Sequence, residues 1–173
     1  MSLNSTELHE KIIKNEHFEG FNVDWTSGIE NPDSIGEKIA SFATSEGGWL
    51  IIGLGKQKQI IGINDEQEVI TKIGEILRNC RPIPQVDAPI FWEIESKKIA
   101  VFRVLSLGGQ VCEYKEIPYH RVQDSNKKLT VAELQSRLIK YGTLSWEQRP
   151  SVASPDEIDN DELNFYLEKV NQR

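Results

Sequence analysis

Apolar positions along the chain alternate between helical and strand periods, and polar turn-forming stretches separate them. Leu8, Ile12 and Ile13 lie at helical spacing, with Asn4, Ser5 or Thr6 placed to cap a helix that reaches about Asn15. Phe21, Val23 and Trp25 alternate with Asn22 and Asp24, the period of a half-buried strand in which Asp24 points away from its apolar neighbours. After the polar stretch TSGIENPD, Ser34 and Glu37 have capping-box spacing, and Ile35, Ile39, Phe42 and Ala43 form one helical stripe. Gly47-Gly48 ends this helix because the first glycine can take the left-handed conformation, and WLIIGL follows as a buried strand. GKQKQ reads as a tight turn into a second strand, IIGIN. A third helix, about residues 65–79, carries Val69, Ile70, Ile73, Ile76 and Leu77 on one face, and Pro82 and Pro84 forbid its continuation. Residues 90–95 and 99–105 read as a hairpin joined by the charged turn SKK. A short strand at 118–122 leads into the polar stretch QDSNKK, after which Thr130 and Glu133 form a second capping box for a helix through Ile139.

The apolar periodicity stops near Gly142. TLSWEQRPSVASPDEIDNDE is rich in Ser, Pro and acid and reads as a linker, followed by a helical pattern at Leu163, Tyr166, Leu167 and Val170. The expected organisation is one domain over residues 1–142, then a linker and C-terminal helix over 143–173 that lead toward a further domain.

Composition narrows the class of protein. The 173 residues are 38% hydrophobic and 27% charged, an ordinary globular balance with enough apolar area for a core. Twenty Lys and Arg stand against 27 Asp and Glu, a net charge of −7, and only −3 of it lies in residues 149–173. Spread acidity disfavours sequence-independent binding to phosphate backbones and leaves room for a local basic patch. The charged N-terminus lacks the apolar core of a secretory signal, and no window approaches the ~20 apolar residues that span a bilayer, so a cytoplasmic location without membrane attachment is expected. Cys80 and Cys112, 32 positions apart, read as buried, reduced thiols.

Several candidate chemistries can be weighed. The GxG of GLGKQKQIIG precedes a strand, whereas a dinucleotide-binding loop must open a helix, and no Walker spacing is present. The glycines therefore read as a helix stop and a turn. Glu19 and Asp24 straddle the first strand with His17 nearby; converging carboxylates would hold a divalent cation, although acids flanking a strand are more often simply solvated. His9, His17 and His120 lack zinc-ligand spacing, and no serine sits in a nucleophile elbow. Arg121, Lys127 and Lys128, with His120, Ser125 and Asn126, make the best anion-binding group, on a strand end and loop before a helix; the alternative is a solvated turn. Trp25, Trp49, Trp92 and Trp146 read as packing residues rather than base-stacking platforms.

Taken together, SIGEKIASFATSEGGWLIIGLGKQKQIIGI and PYHRVQDSNKKLTVAELQ resemble the Schlafen Alba-like domain family, also described as a divergent AAA-associated or DNA-binding domain. Its pattern runs E-x4-E-F-K, a helix ending FANT-x-GG, a strand, a G-V-x-D turn, a later glycine, and Y-x-R-x-G-S before a helix. Glu19 to Thr26 fits the first element, and Phe42 to Gly48 fits the second. Gly53 and Gly62 bracket the turn, and Tyr119, Arg121, Ser125 and Asn126 fit the last element. The similarity covers roughly residues 8–140 and implies an α+β fold with a mixed, largely antiparallel sheet and flanking helices. Such modules usually stand at the N-terminus of longer bacterial proteins described as transcriptional regulators or ATP-binding proteins.

Three positions depart from the pattern: Thr26 replaces the motif lysine, Thr44 replaces the usual Asn, and Gly55-Lys56 stands where a turn acid is expected. In Schlafen ribonucleases two acids of the first motif and one turn acid are thought to form the metal site, and only Glu19 and Asp24 match. The resemblance thus implies a noncatalytic nucleic-acid-binding regulatory module without cofactor, contacting phosphates weakly and salt-sensitively through Arg121, Lys127, Lys128 and loop amides. The alternatives are a Mg- or Mn-dependent nuclease using Glu19 and Asp24, and a protein-interaction or ATP-associated domain, with a homodimer among the arrangements open to it.

Overall fold

A computed structural model describes residues 4–14 and 22–141. Its elements run α1 (Ser5–Ile13), β1 (Val23–Thr26), α2 (Pro32–Thr44), β2 (Gly48–Ile52), α3 (Glu66–Leu77), β3 (Cys80–Arg81) and β4 (Ile90–Ile94). The chain continues through β5 (Lys97–Val104), β6 (Glu113–Tyr114), β7 (Ile117–Val122), β8 (Ser125–Lys128) and α4 (Val131–Lys140). The α+β class is as the sequence predicts, but the strands divide into two sheets, ordered β1-β2-β5-β4 and β3-β6-β7-β8. In the first, β1 and β2 are parallel, Asp24 opposite Leu50, and the remaining pairs are antiparallel. The second sheet is antiparallel throughout.

Local chemistry accounts for the element ends. Asn4 and Thr130 each complete a reciprocal capping box, with Glu7 and Glu133 respectively. Asp65 caps α3 by accepting the amides of Gln67 and Glu68. Helix α2 starts one turn before the expected Ser34: Asn31 is the cap, bonded to the Ser34 amide, and Pro32 opens the helix where its missing N–H is harmless. At the other end Gly47 takes φ +78° and donates its N–H to the Phe42 carbonyl. The expected strand at IIGIN is not formed. Leu54 and Ile60 make a single bridge, and the Ile61 and Gly62 amides both turn back to the Gly53 carbonyl. That crossing requires glycine on both sides, since φ is +109° at Gly53 and +88° at Gly62 and a Cβ on Gly53 would lie 3.2 Å from the Gly62 carbonyl carbon.

The first sheet is buried on both faces by strict alternation. Leu50, Ile52, Ala100, Phe102 and Val104 meet the stripes of α2 and α3, while Val23, Trp49, Ile51, Ile99 and Val101 meet Leu8 and Ile12 of α1. Helix α2 also covers the second sheet, sharing a core with Tyr114, Tyr119, Cys80 and Cys112. Both cysteines are buried and free. Among the described residues no helix is long and apolar enough to cross a membrane.

Candidate functional site

Strand β1 lies at the edge of its sheet, and its alternation sends Val23 into the core beside α1 and Asp24 toward the opposite face. An interior-facing carboxylate must find partners, and Asp24 finds four donors. Oδ1 accepts Lys38 Nζ of α2 at 2.6 Å and the Trp25 amide at 2.8 Å. Oδ2 accepts Arg121 of β7 at 2.5 Å and the Asn126 side-chain amide of β8 at 3.2 Å. Burial alone would push this carboxyl upward, but the charges and hydrogen bonds of Lys38 and Arg121 outweigh it and hold Asp24 below the usual carboxylate range. It is therefore ionised at neutral pH, with both oxygens committed to protein donors.

Arg121 sits deeper still. Its side chain is 1% exposed, one guanidinium nitrogen bonds Asp24 and the Asn126 carbonyl oxygen, and the other donates to the Val23 carbonyl at 3.0 Å. The guanidinium carbon stands 4.8 Å from the centre of the Phe42 ring, which supplies the floor of the cluster. Phe42 itself is pressed against Gly48, where any Cβ would run into the ring. The missing side chain at Gly48 thus lets Phe42 lie against the strand, with Arg121 over its ring.

The polar edge of α2 continues the join between the sheets. Tyr119 donates to Glu37 and Tyr114 to Asp33, both at 2.9 Å, and Lys115 also pairs with Asp33. Burial and the bond to Glu37 push the Tyr119 hydroxyl up to about 12. Ser45 accepts the Arg121 amide, and Thr44 accepts the Cys112 amide at 2.8 Å while its carbonyl takes Arg137 of α4. Thr44 thus occupies the motif's Asn position and still ties α2 to the second sheet.

The sequence-predicted group consequently separates. Arg121 and Asn126 turn inward to Asp24, so Arg121 is not displayed on a surface loop, as the basic-patch reading supposes. Ser125, Lys127 and Lys128 remain exposed. They are not on a loop either: QDSNKK contributes β8, the outer strand of its sheet, paired through His120 with Lys127 and Tyr119 with Lys128. Consecutive residues alternate faces, so the two lysines straddle the strand. His120 shares a face with Lys127; its pKa is lowered by burial and by the charges of Arg137 and Lys127, against an opposing pull from Glu133. Glu19, the other candidate acid, lies outside the described residues, and among those described no cluster of three metal-ligating side chains occurs.

Sequence reasoning missed Lys38 as the partner of Asp24. The available signal was an acid alternating against the core face of a strand, which needs a cation from whichever helix crosses it. It also missed Trp25 as an anchor: the indole N–H donates to the Gly55 carbonyl at 3.1 Å and Lys58 stands over its ring, which fixes the turn carrying Lys56 beside β1.

A solved structure of low identity shares the overall fold. The DIP2311 protein from Corynebacterium diphtheriae superposes with a TM-score of 0.54 at 16% identity, covering 90% of this chain and 37% of that one. The N-terminal domain of a RecG-related protein from Nitrosomonas europaea gives 0.48 at 15% identity, covering 72% of this chain and 91% of that domain. Residues 19–130 match the family described as Schlafen, AlbA_2, a stretch that holds Asp24, the α2 helix with its Gly47-Gly48 stop, and the Arg121–Asn126 hairpin. This chain belongs to the Schlafen, AlbA_2 family.

Proposed function

We propose that the domain is a nucleic-acid-binding regulatory module that does not cleave what it binds. The observation that carries this reading is the saturation of Asp24. A metal-dependent nuclease needs carboxylate oxygens free to ligate a cation, whereas here each oxygen already holds two donors, two of them cationic. Ligating a metal would break the Lys38 and Arg121 pairs and leave two cations beside the ion, an arrangement disfavoured by like-charge repulsion. At the turn position where the family pattern expects an acid this chain has Lys56, which supplies no carboxylate for a metal.

Phosphate contact falls to Lys127 and Lys128, whose exposed ammonium groups reach to either side of the β8 edge. Such contacts position a nucleic acid without reading its bases, so affinity is modest and salt-dependent. The test is a titration of labelled tRNA and duplex DNA at several salt concentrations, with the wild type and the Lys127→Ala/Lys128→Ala variant. Binding that weakens with salt in the wild type and is largely lost in the variant supports the reading. Undiminished binding in the variant removes β8 from the interface, and no binding at low salt removes the function.

A further inference from the structure

A concave surface lies apart from the Asp24 cluster and shares no residue with it. Because β1 and β2 are parallel, the loop after β1 and the turn after β2 leave the sheet at the same end, and they diverge around the start of α3. Between them is a cleft of about 660 Å³. Its floor is apolar, built on Ile52 and Val69, which are fully or almost fully buried, with Ile63 packed on the core beside them and Ile61 47% exposed.

The wall of the cleft is acidic. Glu30, Asp65, Glu68 and Glu75 line it against one cation, Lys72, a net charge of −3. Lys72 is committed to Glu75 at 2.9 Å, and Asp65 spends one oxygen on the Gln67 and Glu68 amides. That cap also closes the α3 N-terminus to an outside anion, because its forward amides already have an acceptor. Among the described residues Glu30 and Glu68 make no ion pair. The combination of an apolar floor and surplus carboxylates repels phosphate and complements a ligand that is cationic and apolar at once.

We infer that this cleft docks a basic, apolar segment of a protein partner, with aliphatic side chains entering over Ile61 and Ile63 and Lys or Arg groups meeting Glu30 and Glu68. Charge complementarity singles out this occupant. A nucleic acid is excluded by the same carboxylates, so the domain carries two surfaces of opposite character: the lysines of β8 and this cleft at the far end of the parallel strand pair. The inference is independent of whether β8 binds nucleic acid.

The test is fluorescence anisotropy of the full chain with a short labelled peptide alternating Lys and Leu, compared with its Glu-for-Lys and Ser-for-Leu counterparts. The Lys/Leu peptide is expected to bind and both counterparts to fail. Glu30→Lys/Glu68→Lys is expected to weaken binding at least about tenfold, whereas Lys127→Ala/Lys128→Ala leaves it unchanged. Circular dichroism checks that the charge-reversed variant is folded; if it is not, Glu68→Gln with Ile61→Ser replaces it under the same criteria. Absent binding of the Lys/Leu peptide, equal binding of either counterpart, or undiminished binding to the cleft variant overturns the proposal.

Discussion

Replacing Arg121 by Met separates a structural role from a ligand-binding one. The substitution keeps most of the side-chain volume over Phe42 but removes the guanidinium that bonds Asp24, Asn126 and the Val23 carbonyl. With 14% of the Asp24 side chain and 1% of the Arg121 side chain exposed, little water is available to replace those bonds. Breaking a buried pair from one side costs ~3–5 kcal/mol in general, and because Lys38 still faces Asp24 the expected loss is near the lower figure, ~3 kcal/mol. Asp24→Asn removes the carboxylate that faces both Arg121 and Lys38 and is expected to cost a similar amount, while the double variant is less destabilised than the sum, with a coupling of ~2 kcal/mol. Urea unfolding of the wild type, both single variants and the double variant at neutral pH measures all three quantities. The pH dependence adds a sign. Since Asp24 is held below its ordinary range in the fold, its ionisation contributes stability that is present above the unfolded value and lost as pH falls through the folded one. The advantage of the wild type over Asp24→Asn should therefore shrink below about pH 4, and in Arg121→Met the acid loss should begin at higher pH. An Arg121→Met variant within ~0.5 kcal/mol of the wild type, a range typical of exposed positions, or strictly additive variants, would refute the role assigned to this pair.

Other expectations follow from the same geometry. Gly48→Ala drives a methyl group into the Phe42 ring and should cost ~1–3 kcal/mol, read as a lower urea midpoint with unchanged slope; a neutral effect would contradict the close approach. With Arg121 buried, the proposed phosphate contacts reduce to the exposed Lys127 and Lys128, so log affinity for duplex DNA should fall with log salt at a slope of about −2 and flatten toward zero in Lys127→Ala/Lys128→Ala. A slope of about −5 or steeper would mean a much larger interface than β8 provides. Limited proteolysis should cut first between residues 143 and 161, where Ser, Pro and acid displace the apolar periodicity; early cuts within residues 40–105 would place the domain boundary elsewhere.

What could be read in the sequence was local. The Thr130–Glu133 box, the Asp65 start of α3, the Gly47 stop and the β4–β5 hairpin each depend on residues a few positions apart, and each is found in the structure. The β8 strand escaped notice because SNKK has no apolar alternation: an edge strand wetted on most of its surface needs none. Strands β3 and β6, two residues each, are too short to leave a period. The central pair was illegible for a different reason. Arg121 and Asp24 are 97 positions apart, and an arginine beside Asn and Lys looks like a surface group until the fold places a carboxylate beneath it. The family resemblance marked both residues as motif positions, but the bonds to Asp24, Asn126 and the Val23 carbonyl, over the Phe42 ring, are what hold that arginine inside.

One titration bears at once on the proposed phosphate-binding surface of β8 and on the carboxylate already spent on its own cations. A labelled structured RNA is titrated with the full chain at low salt, once in EDTA and once in Mn²⁺, and the integrity of the RNA is read on a denaturing gel from the same samples. Equal affinity in both conditions and an intact probe are expected of a domain that binds without cleaving. Binding that requires the metal, together with cleavage that disappears in Glu19→Gln or Asp24→Asn, would contradict that reading.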